Sequence, residues 1–328
     1  MVKVAINGFG RIGRLVFRAG YKELEIVGIN DLGDIETMAH LLKYDSVHGN
    51  FQGKVEVTGS NIVVDGKKIK FTSEKEPEKL PWKELGAEVV MECTGVFRTY
   101  EECEKHIKAG AKKVLLSAPP KDDKIKMVLR GVNDEDINSS DIISNCSCTT
   151  NSIAPIIKVL NDSFGIEKGL LTTVHSYTND QRILDLPHKD LRRARAAAVN
   201  MIPTSTGAAI AVTQVIPALK GKLDGMSIRV PTPDGSITDL TVLTSKDVTE
   251  EEVNNAIKKA SQRELKGIIE YSEEELVLHD IVGNPHSGIL DSKCTKVIDG
   301  NLVKVCSWYD NEWGFSVRMV EMIKKMAK

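Results

Sequence analysis

The chain has 328 residues, enough for two domains at roughly 150 residues each. Hydrophobic residues make up 41%, charged residues 27%, and the formal charge is −2; that balance supplies no global drive toward nucleic acid or an anionic membrane. No apolar run approaches the ~18 residues of a membrane span, and six cysteines without paired CxxC spacing argue against a disulfide scaffold or a zinc site. The strand-like start predicts no signal peptide, so a reduced cytoplasm is the expected compartment.

Over the first 150 residues, strand and helix patterns alternate. Residues 2–6 predict a strand, a glycine turn follows, and Ile12, Leu15, Val16 and Ala19 recur at helical spacing. A second strand is expected over 24–29 and a second helix over 37–42. Alternating segments near 54–57 and 62–71, around Gly59 and Gly66, predict inserted antiparallel hairpins. The alternation resumes with strand 88–92, helix 100–109 and strand 113–117. Such repetition implies a parallel sheet covered by helices on both faces.

After about residue 150 the pattern changes. Strands predicted over 168–175, 223–230, 237–245 and 302–308 carry polar residues at alternate positions, as for a sheet with one wetter face. Thr249 and Glu252 form a capping-box pattern ahead of Val253, Ala256, Ile257 and Ala260 on one helix face. Residues 176–203 are a long irregular stretch rich in arginine. Phe315, Met319, Met322, Ile323 and Met326 mark a final amphipathic helix.

Gly8-Phe9-Gly10-Arg11-Ile12-Gly13 matches GxGxxG between a predicted strand and a predicted helix, the context of a dinucleotide-binding turn. Gly8 allows the tight turn, Gly10 lets a pyrophosphate approach, and Gly13 lets the helix pack close. The helix N-terminus then offers N–H donors and partial positive charge. Asp31 follows Gly8 by 23 residues, near the spacing of the acid that binds ribose hydroxyls, and its charge favours NAD over NADP.

Cys148 lies between a predicted strand, 141–144, and a helix pattern of Ile153, Ile156, Ile157, Leu160 and Phe164. A helix N-terminus can stabilise a thiolate there. Pro155 predicts a delayed or bent helix start. His175 ends a strand and is a candidate acid–base partner. Read alone, Cys148 is at least as readily a small buried hydrophobe, and a lone histidine at a strand end is more often structural. The other histidines show no metal-ligand spacing, so no metal is expected.

Ile6-Asn7-Gly8-Phe9-Gly10-Arg11-Ile12-Gly13-Arg14, Ser147-Cys148-Thr149-Thr150-Asn151, Ser205-Thr206-Gly207-Ala208-Ala209 and Ser307-Trp308-Tyr309-Asp310-Asn311-Glu312 together resemble the glyceraldehyde-3-phosphate dehydrogenases, most closely the bacterial phosphorylating enzymes of glycolysis. The resemblance covers essentially the whole chain. It implies an α/β fold: a Rossmann-type doubly wound parallel sheet domain over 1–148, and an α+β catalytic domain with a mixed, largely antiparallel sheet over 149–312. A C-terminal helix over 313–328 would dock back on the first domain.

The same resemblance implies a homotetramer, NAD as cofactor, and glyceraldehyde 3-phosphate and inorganic phosphate as small-molecule partners, with no membrane or nucleic acid as primary partner. It makes Cys148 the nucleophile and His175 the acid–base catalyst of a thiohemiacetal and thioester route to 1,3-bisphosphoglycerate. Thr178 and Arg229 would bind the substrate phosphate. Ser147, Thr149, Arg193, Thr206 and Gly207 would bind the attacking phosphate. Arg11 and Ile12 at the pyrophosphate, Asp31 at the ribose, Thr94 and Ser117 along the cleft, and Asn311 at the nicotinamide would complete the cofactor set. Arg229 is expected to face away from apolar Met226, Ile228 and Val230.

The sequence departs from the family pattern at Cys146 for alanine, Ser152 for cysteine, Phe315 for tyrosine and Ile210 for lysine. Cys146 raises the idea of a resolving thiol for oxidised Cys148, beside the plainer reading of a small buried residue. Erythrose-4-phosphate dehydrogenase, which hydrolyses its acyl intermediate, is the sister alternative; a non-enzymatic nucleotide-binding module is the other.

Overall fold

A computed structural model describes residues 1–327, which divide into two compact units. The first comprises Met1–Val128, Asp134–Cys146 and the described residues from Ser316 onward. Its nine-stranded sheet runs in the order Val55–Thr58, Asn61–Val64, Lys67–Thr72, Glu25–Asn30, Lys3–Asn7, Val89–Glu92, Lys113–Leu116, Ile142–Ser144, Lys126–Met127. From Lys67–Thr72 onward every pairing is parallel, and the two hairpin strands add antiparallel at one edge. That is the expected doubly wound sheet with its inserted hairpins.

Strand Lys3–Asn7 sits in the centre, and Val4, Ala5 and Ile6 are fully buried, because helices flank a parallel sheet on both faces. The final helix, Trp313–Met326, enters this unit from Ser316. Its Met319, Met322, Ile323 and Met326 are buried, and Lys113 Nζ donates to the Met326 carbonyl at 2.7 Å. The methionine stripe is therefore packing, not a ligand set.

The second unit comprises Leu129–Asn133 and Ser147–Phe315. Its seven-stranded sheet runs Ile202–Ser205, Leu223–Val230, Ile166–Ser176, Ser236–Thr244, Leu302–Tyr309, Gly288–Ile298, Ile269–Ser272. Two pairings are parallel and the rest antiparallel, the mixed sheet expected. Helix Cys148–Phe164 runs unbroken through Pro155. Its Ile153, Ile156, Ile157 and Leu160 are wholly buried, and this packing offsets the hydrogen bond that proline removes. The predicted capping box at Thr249 and Glu252 is present.

Both faces of this sheet carry polar residues. The more exposed one holds the Lys304–Asp239 pair, at 2.7 Å, together with apolar Leu170, 66% exposed, and Met226, 39%, while Thr173, Ser227 and Thr238 are buried on the covered side. Arg229 does lie opposite Met226, Ile228 and Val230, but it shares the covered side with Ser227. Polar residues line that side because it holds the site described below. Strands Ile202–Ser205, Ile269–Ser272 and Gly288–Ile298 and helix Ala208–Val215 were not expected; the first lies next to the long 176–203 stretch, whose turn chemistry masked it. No helix among the described residues is long and apolar enough to cross a membrane.

Candidate active site

In the first unit, the glycine turn follows strand Lys3–Asn7. Gly8 has φ +90°, and a Cβ there would meet the Thr94 backbone nitrogen at 2.6 Å. At Gly13 a Cβ would meet the Gly8 carbonyl at 2.1 Å, so the helix packs onto the turn only because both residues are glycine. Gly10 has nothing within 4 Å of its Cβ position, which leaves open the approach that a ligand needs. Helix Arg11–Gly20 begins at Gly10 with no side-chain cap and no acid in its first turn. Helices starting after Asp34, Thr99, Ser147 and Thr249 all have a side-chain cap. An uncapped terminus beside an open glycine fits a pyrophosphate.

Asp31 ties this turn to the neighbouring strand: Oδ2 accepts from Phe9 N at 2.6 Å and Oδ1 from Gly33 N at 2.9 Å. A cleft of about 440 Å³ brings together Gly8, Gly10, Asp31 and Thr94. Arg11, Ile12 and Ser117 do not line it. The Arg11 guanidinium instead pairs with Asp45 at 2.8 Å, so its backbone is what lies at the helix start. The residues present fit NAD.

Beneath the cleft runs a polar ladder that the sequence reading missed. Glu92, wholly buried, accepts from Asn7 Nδ2 at 2.6 Å, His106 Nε2 at 3.0 Å and Thr94 N at 2.8 Å, and from the Thr94 hydroxyl. Trp82 Nε1 donates to His106 Nδ1 at 3.0 Å, which leaves the ring proton on Nε2, facing Glu92. Asn30 Nδ2 donates to Asn7 Oδ1 at 2.8 Å. Asn7, Asn30 and Glu92 are the last residues of three adjacent strands. Thr94 thus shapes the cleft wall with both of its donors committed to Glu92. The available signal was a polar residue at each strand end, immediately ahead of Gly8, Asp31 and Cys93.

In the second unit, sheet register assembles the chemistry. Arg229, His175, Ser236 and Tyr309 are consecutive cross-strand partners in one row, so their side chains emerge on one face. Cys148 is the first residue of helix Cys148–Phe164, whose cap is the Ser147 hydroxyl accepting from Thr150 N at 3.1 Å. Its Sγ lies 3.5 Å from His175 Nε2. Burial pushes the Cys148 thiol up; the Arg229 charge and hydrogen bonds from Thr149 oppose it. Burial, then Arg229, pushes His175 down to about 3. Burial, which disfavours charge on either group, is the largest cause of both shifts.

Arg193 is held by its own loop, donating to Thr204 Oγ1 at 2.9 Å, Asp180 Oδ2 at 2.6 Å and the Ser205 carbonyl at 3.3 Å. The Thr149 hydroxyl pairs with Tyr309 OH at 2.9 Å. Thr206 Oγ1 accepts from Ala208 N at 3.2 Å, and Gly207 precedes helix Ala208–Val215 with open space at its Cβ position. Thr178 N donates to Gln181 Oε1 at 3.2 Å. Asn311 is buried, and its Oδ1 accepts from Ser176 Oγ at 3.0 Å and Ser236 Oγ at 2.8 Å. That fixes the amide orientation and leaves Nδ2 as the donor. Ser176, Ser236 and Tyr309 are supporting residues that the sequence reading did not single out, although Tyr309 stood inside a quoted motif.

Cys146, in the first unit, has φ +58° and is wholly buried, and burial pushes its thiol up. Ser152, where the family pattern has cysteine, bonds Ser307 Oγ at 2.8 Å in the core.

A dinucleotide cleft in one unit and a cysteine–histidine pair in the other define a class, the NAD-dependent oxidoreductases that act on aldehydes. Comparison with known proteins narrows the class. Residues 2–100 match the family model described as "Glyceraldehyde 3-phosphate dehydrogenase, NAD binding domain", and residues 147–311 match the corresponding C-terminal domain. The chain is 61% identical to glyceraldehyde-3-phosphate dehydrogenase of Thermotoga maritima, with 100% of both chains covered. It is 57% identical to that of Geobacillus stearothermophilus, covering 99% of this chain and 98% of the relative. Identity to glyceraldehyde-3-phosphate dehydrogenase 1 of Bacillus subtilis is 56%, over 100% and 98%. The chain belongs to the glyceraldehyde-3-phosphate dehydrogenase family. It is an NAD-dependent oxidoreductase of glycolysis whose substrates are glyceraldehyde 3-phosphate and phosphate. These matches favour that activity over the erythrose-4-phosphate and binding-module alternatives.

Proposed function

We propose that the chain oxidises glyceraldehyde 3-phosphate through a covalent adduct on Cys148, with residues 1–148 as the NAD-binding domain and residues 149–312 as the catalytic domain, the nucleophile standing at the junction of the two ranges as the first residue of helix Cys148–Phe164. The observation that carries this reading is the 3.5 Å approach of Cys148 Sγ to His175 Nε2 at a helix N-terminus. His175 takes the thiol proton as Sγ attacks the aldehyde carbon and returns it to the former carbonyl oxygen, giving a thiohemiacetal. It then takes the hydroxyl proton of that adduct as the carbon is oxidised to a thioester. Bound NAD supplies the hydride acceptor. Phosphate attacks the thioester, the acyl–sulfur bond breaks, and the product leaves as an acyl phosphate. Arg229 and Thr178 hold the substrate phosphate. Ser147, Thr149, Arg193, Thr206 and Gly207 receive the attacking phosphate, with Thr149 contributing its backbone N–H. Asn311 Nδ2 donates to the nicotinamide carboxamide. In the cofactor cleft, the open backbone at Gly10 to Gly13, including Arg11 and Ile12, takes the pyrophosphate and Asp31 the ribose, with Ser117 nearby.

A homotetramer completes the reading, in the cytoplasm. Its support is the exposed apolar surface of the second unit: Ile183 is 84% exposed, Leu191 81% and Met201 76%, with Leu170 and Met226 also exposed on the sheet. Surfaces of this kind mark subunit contacts. The test is NADH formation from glyceraldehyde 3-phosphate and NAD, with phosphate and without it. Multiple turnovers that need phosphate support the reading. Turnover that is indifferent to phosphate refutes it.

A further inference from the structure

Strands Gly288–Ile298 and Leu302–Tyr309 pair antiparallel with one break in register. Asp291 stands opposite Cys306, and Lys296 opposite Lys304. The residues from Ser292 to Thr295 therefore bulge out against Val305 alone. Carried back across the bulge, the Lys296–Lys304 register sets Cys294 opposite Cys306, where the other register sets Asp291. Two residues of the bulged strand thus address one cysteine.

Side-chain directions agree with that placement. The Thr295 hydroxyl donates to Asn254 Oδ1 at 2.7 Å, and Asn254 Nδ2 donates to the Ser292 carbonyl at 3.3 Å. Helix Glu250–Gln262 so pins the bulge from the covered side of the sheet, and Cys294, next to Thr295, turns to the other side. Cys306 lies on that side too. Its neighbour Ser307 bonds Ser152 on the covered side, while Lys304 and Trp308 alternate with Ser307 and reach Asp239 and Asp291, at 2.7 and 3.1 Å. The two thiols meet there as a hydrogen-bonded pair. Both are free, Cys294 half-buried and Cys306 buried. Their face is opposite the one that carries His175 and Tyr309, so the pair stands outside the active site.

The two sulfurs are not equivalent. Burial pushes the Cys306 thiol up to about 12, with the charges of Cys294 and Asp239 adding to it. Burial and then Asp291 push Cys294 up as well, but the hydrogen bond from Cys306 and the Lys304 charge oppose the shift there. Cys294 is therefore the sulfur that ionises first, and it is also the one a reagent reaches.

We propose that Cys294 and Cys306 form a modification site that a small-molecule disulfide closes to a protein disulfide, with Cys294 attacking and Cys306 resolving. The Cys294 thiolate attacks one sulfur of the small disulfide. That S–S bond breaks, and one small thiol leaves with the proton that Cys294 gave up. The Cys306 sulfur then attacks Cys294 Sγ, and the second small thiol leaves with the Cys306 proton. Two protein thiols are oxidised and one small disulfide is reduced to two thiols. The bridge fastens the bulge to the strand that carries Tyr309, whose hydroxyl pairs with Thr149.

The test incubates the full chain with oxidised glutathione, quenches it in acid, blocks the remaining thiols with N-ethylmaleimide and digests with trypsin without reductant. Cleavage after Lys293, Lys296 and Lys304 places the two cysteines in separate peptides. The expected product is the peptide Cys294–Lys296 joined to the peptide Val305–Arg318, lost on treatment with dithiothreitol. Its rate of formation should rise about tenfold between pH 7 and pH 8, because the attacking thiol is mostly protonated there. Cys306→Ser is expected to keep glutathione on Cys294 as a mixed disulfide, and Cys294→Ser to leave Cys306 without glutathione. Glutathione retained on Cys294 of the native chain, with no linked peptide, overturns the pairing. Both thiols unreacted at pH 9 overturn the site itself.

Discussion

The two units handle their ligands by different physical means. The first uses backbone: a left-handed glycine, an uncapped helix terminus and one carboxylate that accepts from two backbone N–H groups. The second uses side chains, set in a row by sheet register and finished by a cysteine on an adjoining helix. A backbone site tolerates no added atom. A side-chain site tolerates small shifts but no change of functional group. Substitutions in the two units should therefore fail in separable ways, one through cofactor affinity and the other through rate.

The largest expected effect is on Cys148. Cys148→Ala removes the nucleophile and should lower NADH formation by at least about four orders of magnitude, while the calorimetric Kd for NAD changes less than about threefold. His175→Asn comes next, with kcat falling roughly 10²- to 10⁴-fold as expected for a lost general base. A third substitution, Gly8→Ala, reverses the pattern. The strained φ and the 2.6 Å approach to Thr94 together cost on the order of 1–3 kcal/mol, so NAD binding should weaken about tenfold or more. Asp31→Ser should narrow the preference for NAD over NADP, read as a ratio of kcat/KM values.

The smallest effect concerns pH and stability. Asp234, buried in the second unit, is pushed up to about 9, first by burial and then by the charges of Asp310 and Glu312. The folded chain keeps a proton that the unfolded chain releases near the ordinary value of 3.8. That contribution is fully present below about pH 4 and is lost as pH rises toward 9. Asp234→Asn removes the dependence, so its melting temperature should fall less than that of the native chain between pH 5 and pH 8. A parallel fall in both proteins would contradict this.

The contrast between the units also governs what the sequence could reveal. Gly8, Gly10, Gly13 and Asp31 were readable from spacing, because local backbone geometry demands those residue types at fixed intervals. Cys148 and His175, by contrast, stand 27 residues apart in sequence and meet only through sheet register, which no local pattern encodes. They were assigned through family resemblance. The buried polar residues of the second sheet have the same origin. Alternation along Leu223–Val230 announced two faces, but the polar one is covered because it carries Ser227 and Arg229. The ladder from Trp82 through His106 and Glu92 to Asn7 and Asn30 escaped notice because its members come from separate strands and helices. Each one alone looks like an ordinary polar residue.

The most direct test of the central claim is mass spectrometry of protein quenched in acid after mixing with glyceraldehyde 3-phosphate and NAD. Without phosphate, the peptide containing Cys148 should carry the 3-phosphoglyceroyl group, and added phosphate should remove it as product forms. Turnover with no adduct on Cys148, or an adduct that phosphate does not discharge, would contradict covalent catalysis at this residue.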